Sequence, residues 1–597
     1  MELNSEQQKC VEACEGNKLI IAGPGSGKTT VMAHHMAYLV NEKKVPEALI
    51  KGFTFTNHAT LEMNKRVKNV LGREHKIDIS NFHSFTFACL KFFYRIKYKV
   101  LTDDEKRRIV KKLIEDNGYN LDLDYAIHEI SRIKNMMNPK DSLLDVRIKV
   151  ADIYYKYQTY IEKAQKLDYD EMNYLFLQKL KTDEEFREMM IEQYEYIIVD
   201  EAQDINHVQY EILKILSSKS HNLYMVGDPN QSIYAFRGSD ITILDDFRDY
   251  ECAEVLHLTN NYRSKVSIVE AANKLISHNT NTLNLDSVPV SKEQGEVKVL
   301  FPFNMAHQAD YVATQIKKLV EQGYKYSDIK ILYRTNYSPK LIDVQLNRAC
   351  IPHYVHGLSF LEHKEIIILT SYLEFLINPN DDEAFETIIN HPLRGIGDAS
   401  VSKIRLKAKL LNTSYYNASK ELINEIPKLE DFFDSIDELI ELKERTDFLS
   451  LVSTIINDYI DLEQLTKDPK SIKNRRANLH YFLELSMHEL YSTKNEDIRS
   501  FLNSLYMKDN SESKEGVVEL MTIHQAKGLE AKVVFIIDLI DSMFPGRRYE
   551  YDLEEERRVF FVGMTRAIDK LYLLSPRTFR YDEESDYAEC RFLAEIK

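Results

Sequence analysis

The sequence predicts an α/β protein with two parallel-sheet cores, each carrying a mainly helical insertion, on three observations. Short apolar runs rich in β-branched residues recur and end in polar or glycine-containing loops, as strands buried on both faces do. They fall into two sets: "KLIIAG", "KGFTFTN", "EYIIVDE" and "NLYMVGD" come before residue 230, and "VKVLFP", "IKILYRTN", "VVELMTIH", "KVVFIIDLI" and "KLYLLSP" follow. Residues 86–190 and 378–515 instead show helical periodicity and few strand signals, as in "DDEKRRIVKKLIED" and "LVSTIIND".

In chain order, residues 1–85 and 191–265 form the first core and 86–190 its insertion. Residues 266–377 and 516–597 form the second core, and 378–515 its insertion. The clearest linker is "NTNTLNLDSVPVSKEQGE", Asn279 to Glu296, which is polar and turn-rich. A length of 597 residues agrees with several packed units, at about 150 residues per domain.

Composition narrows the class. Hydrophobic content of 44% and charged content of 29% are those of a globular protein. No run of eighteen apolar residues occurs, and "MELNSEQQKC" lacks the basic-then-apolar order of a secretory signal. A cytoplasmic protein with no membrane partner is therefore expected. The six cysteines have no paired C-x-x-C spacing and read as buried free thiols, with Cys10 and Cys14 packed on one helix face. A net charge of −16 excludes a protein that coats nucleic acid through bulk electrostatics, but not one with a local basic groove.

The segment "LIIAGPGSGKTT" is strand, glycine loop and helix start. Backbone N–H groups of Ala22, Gly23, Pro24 to Gly25, Ser26 and Gly27, proline excepted, can point at phosphate, with Lys28 as a mobile positive charge. Thr29 offers a hydroxyl to Mg2+, and Thr30 completes the stretch. Downstream, "YIIVDEAQD" puts Asp200 and Glu201 at a strand end: Asp200 can hold the metal, and Glu201 can polarise the water that attacks a nucleotide's γ-phosphate. Kinases, GTPases, transporters and motors share this much. A second α/β core is explained by a motor architecture.

The remaining motifs resemble those of the UvrD/Rep-like superfamily 1 DNA helicases, in order and spacing. They are "LNSEQ", "AGPGSGKTT", "FTFTNHAT", "NFHSF", "VDEAQD", "VGDPNQSIYAFRG", "LTNNYRS", "TIHQAKGLE" and "EEERRVFFVGMTRA". The resemblance implies two RecA-like P-loop cores with ATP in the cleft between them and single-stranded DNA across their top. It implies that Gln7 reads the adenine edge, Tyr262 stacks on the base, and Glu530 contacts the ribose region. Arg263 would reach the γ-phosphate, Gln231 would sense it, and Arg566 would act as an arginine finger, a set of charges suited to phosphoryl transfer. Relatives often carry arginine where this chain has Thr30, so one side of the adenine sandwich is expected to be weaker.

Along the DNA the resemblance places Phe55, His83, Tyr234 and Phe236, with Thr56, Asn57 and His524 as phosphate contacts and Arg237 beside them. Aromatic faces accept any base, which gives sequence-independent grip. Tryptophan is frequent in the family at the position of Phe236, yet this chain contains none. "HPLRGIGDAS" resembles a glycine loop that approaches duplex phosphate, and an aromatic of "RTFRY", Phe579 or Tyr581, is the candidate for the pin that splits the duplex. Longer relatives continue into a partner-recruiting tail, which this chain is expected to lack.

The activity expected is an ATP-dependent 3′ to 5′ DNA helicase and translocase acting on single-stranded DNA and 3′-tailed duplex. A different class of reading is a nucleotide- and DNA-binding regulatory subunit that strips proteins or serves a partner nuclease or repair protein and unwinds little.

Overall fold

The computed structural model describes residues 3–95, 98–101, 103–135, 148–164, 166–280, 283, 285–335, 338–356, 363–467, 469–493, 498–499, 501–502, 516–546, 552–577 and 588–596. Phe579 and Tyr581 lie outside them. The chain divides into two compact units, Met1–Leu300 with Ile523–Ser575 and Tyr587–Lys597, and Phe301–Thr522 with Pro576–Asp586.

In the first unit, six strands form one parallel sheet: β1 (Lys18–Ala22), β2 (Ile50–Thr54), β3 (Asp78–Asn81), β4 (Tyr196–Val199), β5 (Leu223–Gly227) and β6 (Glu254–Leu258), in the order β3-β2-β4-β5-β1-β6. All residues of β1, β2 and β5 are buried, which is why β1 and β5 read as mainly apolar runs, whereas β2 also buries Lys51, paired with Asp78 at 2.9 Å. Alternate residues serve opposite faces. Leu19, Ile21, Phe53, Ile197, Val199 and Met225 pack into one core, and Ile20, Ala22, Ile50, Ile198, Tyr224 and Val226 into the other.

Because the strands are parallel, their carboxyl ends share one edge. The glycine loop after β1, Asp200 and Glu201 after β4, Asp228 after β5 and Asn261 to Arg263 after β6 all leave from it, the edge at which open α/β sheets bind ligands.

Helices Asp103–Asp116, Leu123–Asn135, Ile148–Lys163 and Tyr169–Thr182 follow the third strand. The apolar faces of the first three meet around Val110, Ile130, Ile133, Ile153 and Tyr157, while the fourth packs Phe176, Leu177 and Leu180 against the sheet core that holds Leu19, Ile21 and Phe53. Beside the helical core, the buried Asp168 carboxylate accepts from Lys134 Nζ at 3.1 Å and Tyr157 OH at 2.8 Å.

The first unit also holds a parallel ladder of β7 (Glu296–Leu300), β11 (Ala531–Ile536) and β12 (Ala567–Leu574), with β12 in the middle. The second unit holds β8 (Ile329–Tyr333), β9 (His353–Val355) and β10 (Val518–Thr522), also parallel, with β10 in the middle. Its helices, Lys364–Ile377 to Pro469–Thr493, enclose an apolar core that includes Tyr372, Phe375, Phe385, Phe432 and Phe482.

Among the described residues no helix is long and apolar enough to cross a membrane. Cys10, Cys14 and Cys590 are buried free thiols, but Cys252 and Cys350 are exposed, each in a left-handed turn conformation at the surface.

Candidate functional site

The glycine loop is shaped by its neighbours. Gly25 and Gly27 have φ of +69° and +86°, a region that penalises any Cβ, and a Cβ on Gly25 would come within 2.7 Å of Arg263 Cβ. Gly27 caps the helix Lys28–Asn41, whose first-turn N–H groups and dipole face the loop. Lys28 Nζ donates to the Ala22 carbonyl at 3.2 Å and lies 3.9 Å from the Asp228 carboxylate. The loop is thus a preformed cradle with a cation across it.

Asp200 and Glu201 stand at the same edge. Glu201 has φ of +49°, an uncommon backbone state for a residue with a side chain, costing about 1–3 kcal/mol. That conformation starts the short turn Ala202–Asp204, and Gln203 donates its amide to the Glu201 carboxylate. Burial, then the charge of Glu201, pushes the Asp200 carboxyl up. Burial acts on Glu201 in the same direction, but Lys28 and Lys527 outweigh it and hold this carboxyl below its ordinary range. Of the adjacent acids, Glu201 keeps its negative charge more readily.

Asp228 organises the other side. Its carboxylate accepts from Gln231 Nε2 at 2.5 Å and from the Asn230 N–H at 3.0 Å. Gln231 Oε1 accepts from Arg566 Nη2 at 3.0 Å. Lys527 is buried between these groups: it pairs with Asp204, donates to the Gln231 carbonyl at 2.7 Å and lies 4.0 Å from Glu201. Desolvation pulls the Lys527 ammonium down, yet Asp204 and Glu201 hold it above its usual value.

At the far end of the loop, Gln7 donates to the Ser26 carbonyl at 3.0 Å and closes a capping box with Asn4. Asn4 also donates to the Tyr262 hydroxyl at 2.5 Å, and Tyr262 N–H donates to the Gly25 carbonyl at 3.0 Å. Tyr262 is 47% exposed, which leaves room for a planar partner. Arg263 is held by Glu530 at 2.6 Å and by the Thr565 carbonyl at 3.2 Å. Thr30 is not alone. Its hydroxyl accepts from Arg66 Nη1 at 3.3 Å, so a guanidinium from the helix Asn57–Leu71, itself held by Glu62, lies beside it.

A second group forms a cluster on the same unit. Phe55 and Tyr234 stack with centroids 5.1 Å apart. Tyr234 and Phe236 meet at 5.9 Å and Phe236 and His524 at 5.5 Å, while the Tyr234 hydroxyl donates to the His524 carbonyl at 3.3 Å. Lys527 lies 5.0 Å above the Tyr234 ring, so this one cation touches both groups. Thr56 caps its helix by accepting from the Ala59 N–H, Asn57 accepts from Asn81 at 2.6 Å, and both are exposed. His83 meets Tyr169 edge-on at 5.3 Å. The side chain of Arg237 lies outside the described residues.

Sequence reasoning missed Asp228, Asp204, Lys527 and Arg66. Asp228 had a signal, an acid at the end of a buried strand within "VGDPNQ". Lys527 sits in the quoted "TIHQAKGLE", but its burial against Asp204 has no sequence signature. Arg66 needed the packing of two helices to be known.

Residues 3–250 match a family described as UvrD/REP helicase N-terminal domain, and residues 256–577 match the UvrD-like helicase C-terminal domain. Similar proteins include those named ATP-dependent DNA helicase PcrA from Bacillus subtilis, 34% identical over 639 residues, and Staphylococcus epidermidis, 33% identical over 632 residues. Each alignment covers 100% of this chain, with 85% and 86% of the respective relative. The protein of the same name from Leuconostoc citreum is 33% identical over 641 residues, covering 100% of this chain and 84% of that relative.

Proposed function

Because the chain belongs to the UvrD/Rep helicase family and is an ATP-dependent DNA helicase, we propose that it moves 3′ to 5′ along single-stranded DNA and opens 3′-tailed duplex. In this reading the segments 1–85 with 191–265 and 266–377 with 516–597 are the two motor cores, and 86–190 and 378–515 their insertions. The work is done in the cytoplasm, in DNA repair, replication restart or recombination, beside a partner nuclease or repair protein.

The glycine cradle and Lys28 take the phosphates of ATP, while Tyr262 and Gln7 orient the base. Thr29 and Asp200 offer the hard oxygen donors that suit Mg2+ and would hold it; when bound it would neutralise charge on the phosphates. Glu201, kept ionised by Lys28 and Lys527, accepts a hydrogen bond from the attacking water and so polarises it. Arg263 and Arg566 have protein partners, Glu530 and Gln231, that a γ-phosphate oxygen can replace. Exchange of these partners makes the arginines responsive to the state of the nucleotide.

The observation that carries the reading is the loop from Gln231 to Phe236. Its first residue bonds Arg566, and its aromatics join Phe55 and His524. Hydrolysis and strand grip therefore share a few residues of backbone.

Strand displacement on 3′-tailed and 5′-tailed duplexes, run beside streptavidin displacement from end-labelled single strands, tests this directly. Unwinding of the 3′-tailed substrate alone is expected, abolished in Lys28→Ala. Equal or preferred unwinding from a 5′ tail would overturn the polarity, and streptavidin displacement without unwinding would favour a protein-stripping role.

A further inference from the structure

The Gln231 to Phe236 loop is also held through its main chain. The helix Leu553–Met564 presents Glu555 and Arg558 one turn apart on a single face. Glu555 Oε1 accepts from the Ala235 N–H at 3.0 Å, and Arg558 Nε donates to the Ser232 carbonyl at 2.8 Å. The Ala235–Arg237 turn has no side-chain cap of its own, so Glu555 supplies the cap from a segment 320 residues away. Burial raises the Glu555 carboxyl above its ordinary range, so it is kept there at a cost that an exposed position would avoid.

The same helix leads directly into Arg566, whose guanidinium bonds Gln231. This helix of 12 residues, about 18 Å long at 1.5 Å per residue, thereby reaches the loop at Ser232 and Ala235, and Arg566, just past its C-terminal cap, reaches it at Gln231. A displacement of Arg566 toward or away from a phosphate must be carried to the backbone of Tyr234 and Phe236, because the helix cannot bend between its contacts at small cost.

We propose that Glu555 and Arg558 are positioning residues of the motor, a main-chain clamp that transmits movement of the arginine-bearing helix to the aromatic loop. The inference rests on the proposed roles of Arg566 at the nucleotide and of Tyr234 and Phe236 at the strand. It assigns neither residue a contact with ATP or DNA.

The test uses the full chain with Glu555→Ala, Glu555→Gln, Arg558→Ala and Arg558→Lys, and reads nucleotides travelled per ATP hydrolysed on single-stranded DNA. Glu555→Ala and Arg558→Ala are each expected to lower that ratio about fivefold or more, in line with loss of a charge-assisted hydrogen bond. Glu555→Gln, whose amide oxygen still accepts from Ala235, should restore most of it, which a general loss of packing would not. Should an alanine variant fail to fold, Arg558→Lys, which cannot present Nε, carries the test with the same expected fall. An unchanged ratio in the folded variants overturns the clamp. Arg566→Ala and Tyr234→Ala run alongside: if neither alters hydrolysis or strand affinity, the underlying roles fail, and the clamp falls with them for that separate reason.

Discussion

Arg566 Nη2 donates to Gln231 Oε1 at 3.0 Å across 335 residues of sequence, and both side chains are almost wholly buried. Arg566 also donates to the Val562 and Leu529 carbonyls, so it is fixed in direction before any phosphate arrives. Preorganised charge of this kind acts mainly on the transition state.

Arg566→Lys should therefore lower DNA-stimulated kcat by about a hundredfold or more while changing the KM for ATP much less, since lysine cannot reproduce the fork of donors. Steady-state ATPase measurements with saturating single-stranded DNA would check this. A fall confined to KM would mean that the residue binds the ground state instead.

Lys527 and Asp204 make a different prediction, about folding. Both are buried, and removing one leaves the other's charge uncompensated. Lys527→Met should cost about 3–5 kcal/mol in denaturant unfolding, and adding Asp204→Asn should recover much of it. Additive losses would show that the pair is not interacting.

Arg66 bears on base selection. Its bond to Thr30 brings a guanidinium beside the glycine loop. Arg66→Ala should raise the KM for ATP about threefold to tenfold and narrow the preference for ATP over GTP, the size of a modest cation–π contribution. An unchanged ratio of kcat/KM values for the two nucleotides would exclude the residue from selection.

How much of this was legible in the chain differs by residue. β1, β4 and β5 could be read because strands buried on both faces leave unbroken apolar runs, and the glycine loop because its chemistry dictates its residues. The partners of those residues could not. That Asp228 faces Lys28 follows from β5 lying next to β1, a strand order that no local pattern encodes. The Arg263 to Glu530 pair and the Glu555 cap on Ala235 depend on segments more than 260 residues apart meeting in space. Local residue types specified the elements; the tertiary arrangement specified who touches whom.

His207 and Asp240 give a pH dependence. His207 Nε2 lies 2.9 Å from Asp240 Oδ2, and this hydrogen bond, followed by the opposing effect of burial, leaves the imidazole above its ordinary pKa. The bond to His207 comes first among the causes holding Asp240 down at about 2. The histidine's contribution is full below its unfolded pKa of about 6.5 and is lost as pH rises through the higher folded value. The aspartate's contribution is full above about pH 4 and is lost as pH falls through about 2. The stability gap between the wild type and His207→Asn should thus be widest between about pH 4 and 6.5 and shrink toward pH 8.5, by no more than about 1 kcal/mol. Thermal unfolding across that range would read it, and a gap that widens with pH would contradict the pairing.

Phe236 tests the grip itself. The residue is 45% exposed and its ring meets Tyr234 and His524, so it has area to offer a base while being held from behind. Base stacking on an aromatic is worth about 1–3 kcal/mol, so Phe236→Ala should weaken binding of a single-stranded oligonucleotide about fivefold to a hundredfold. Phe236→Trp supplies a larger face without adding a charge and should tighten it. Neither change alters a charge, so the slope of log affinity against log salt should stay constant across the three proteins. Fluorescence anisotropy titrations over a series of salt concentrations separate these terms. A tryptophan variant that binds no more tightly than wild type would mean the exposed face of Phe236 does not meet a base, and a changed salt slope would mean that the substitution had moved a phosphate contact instead.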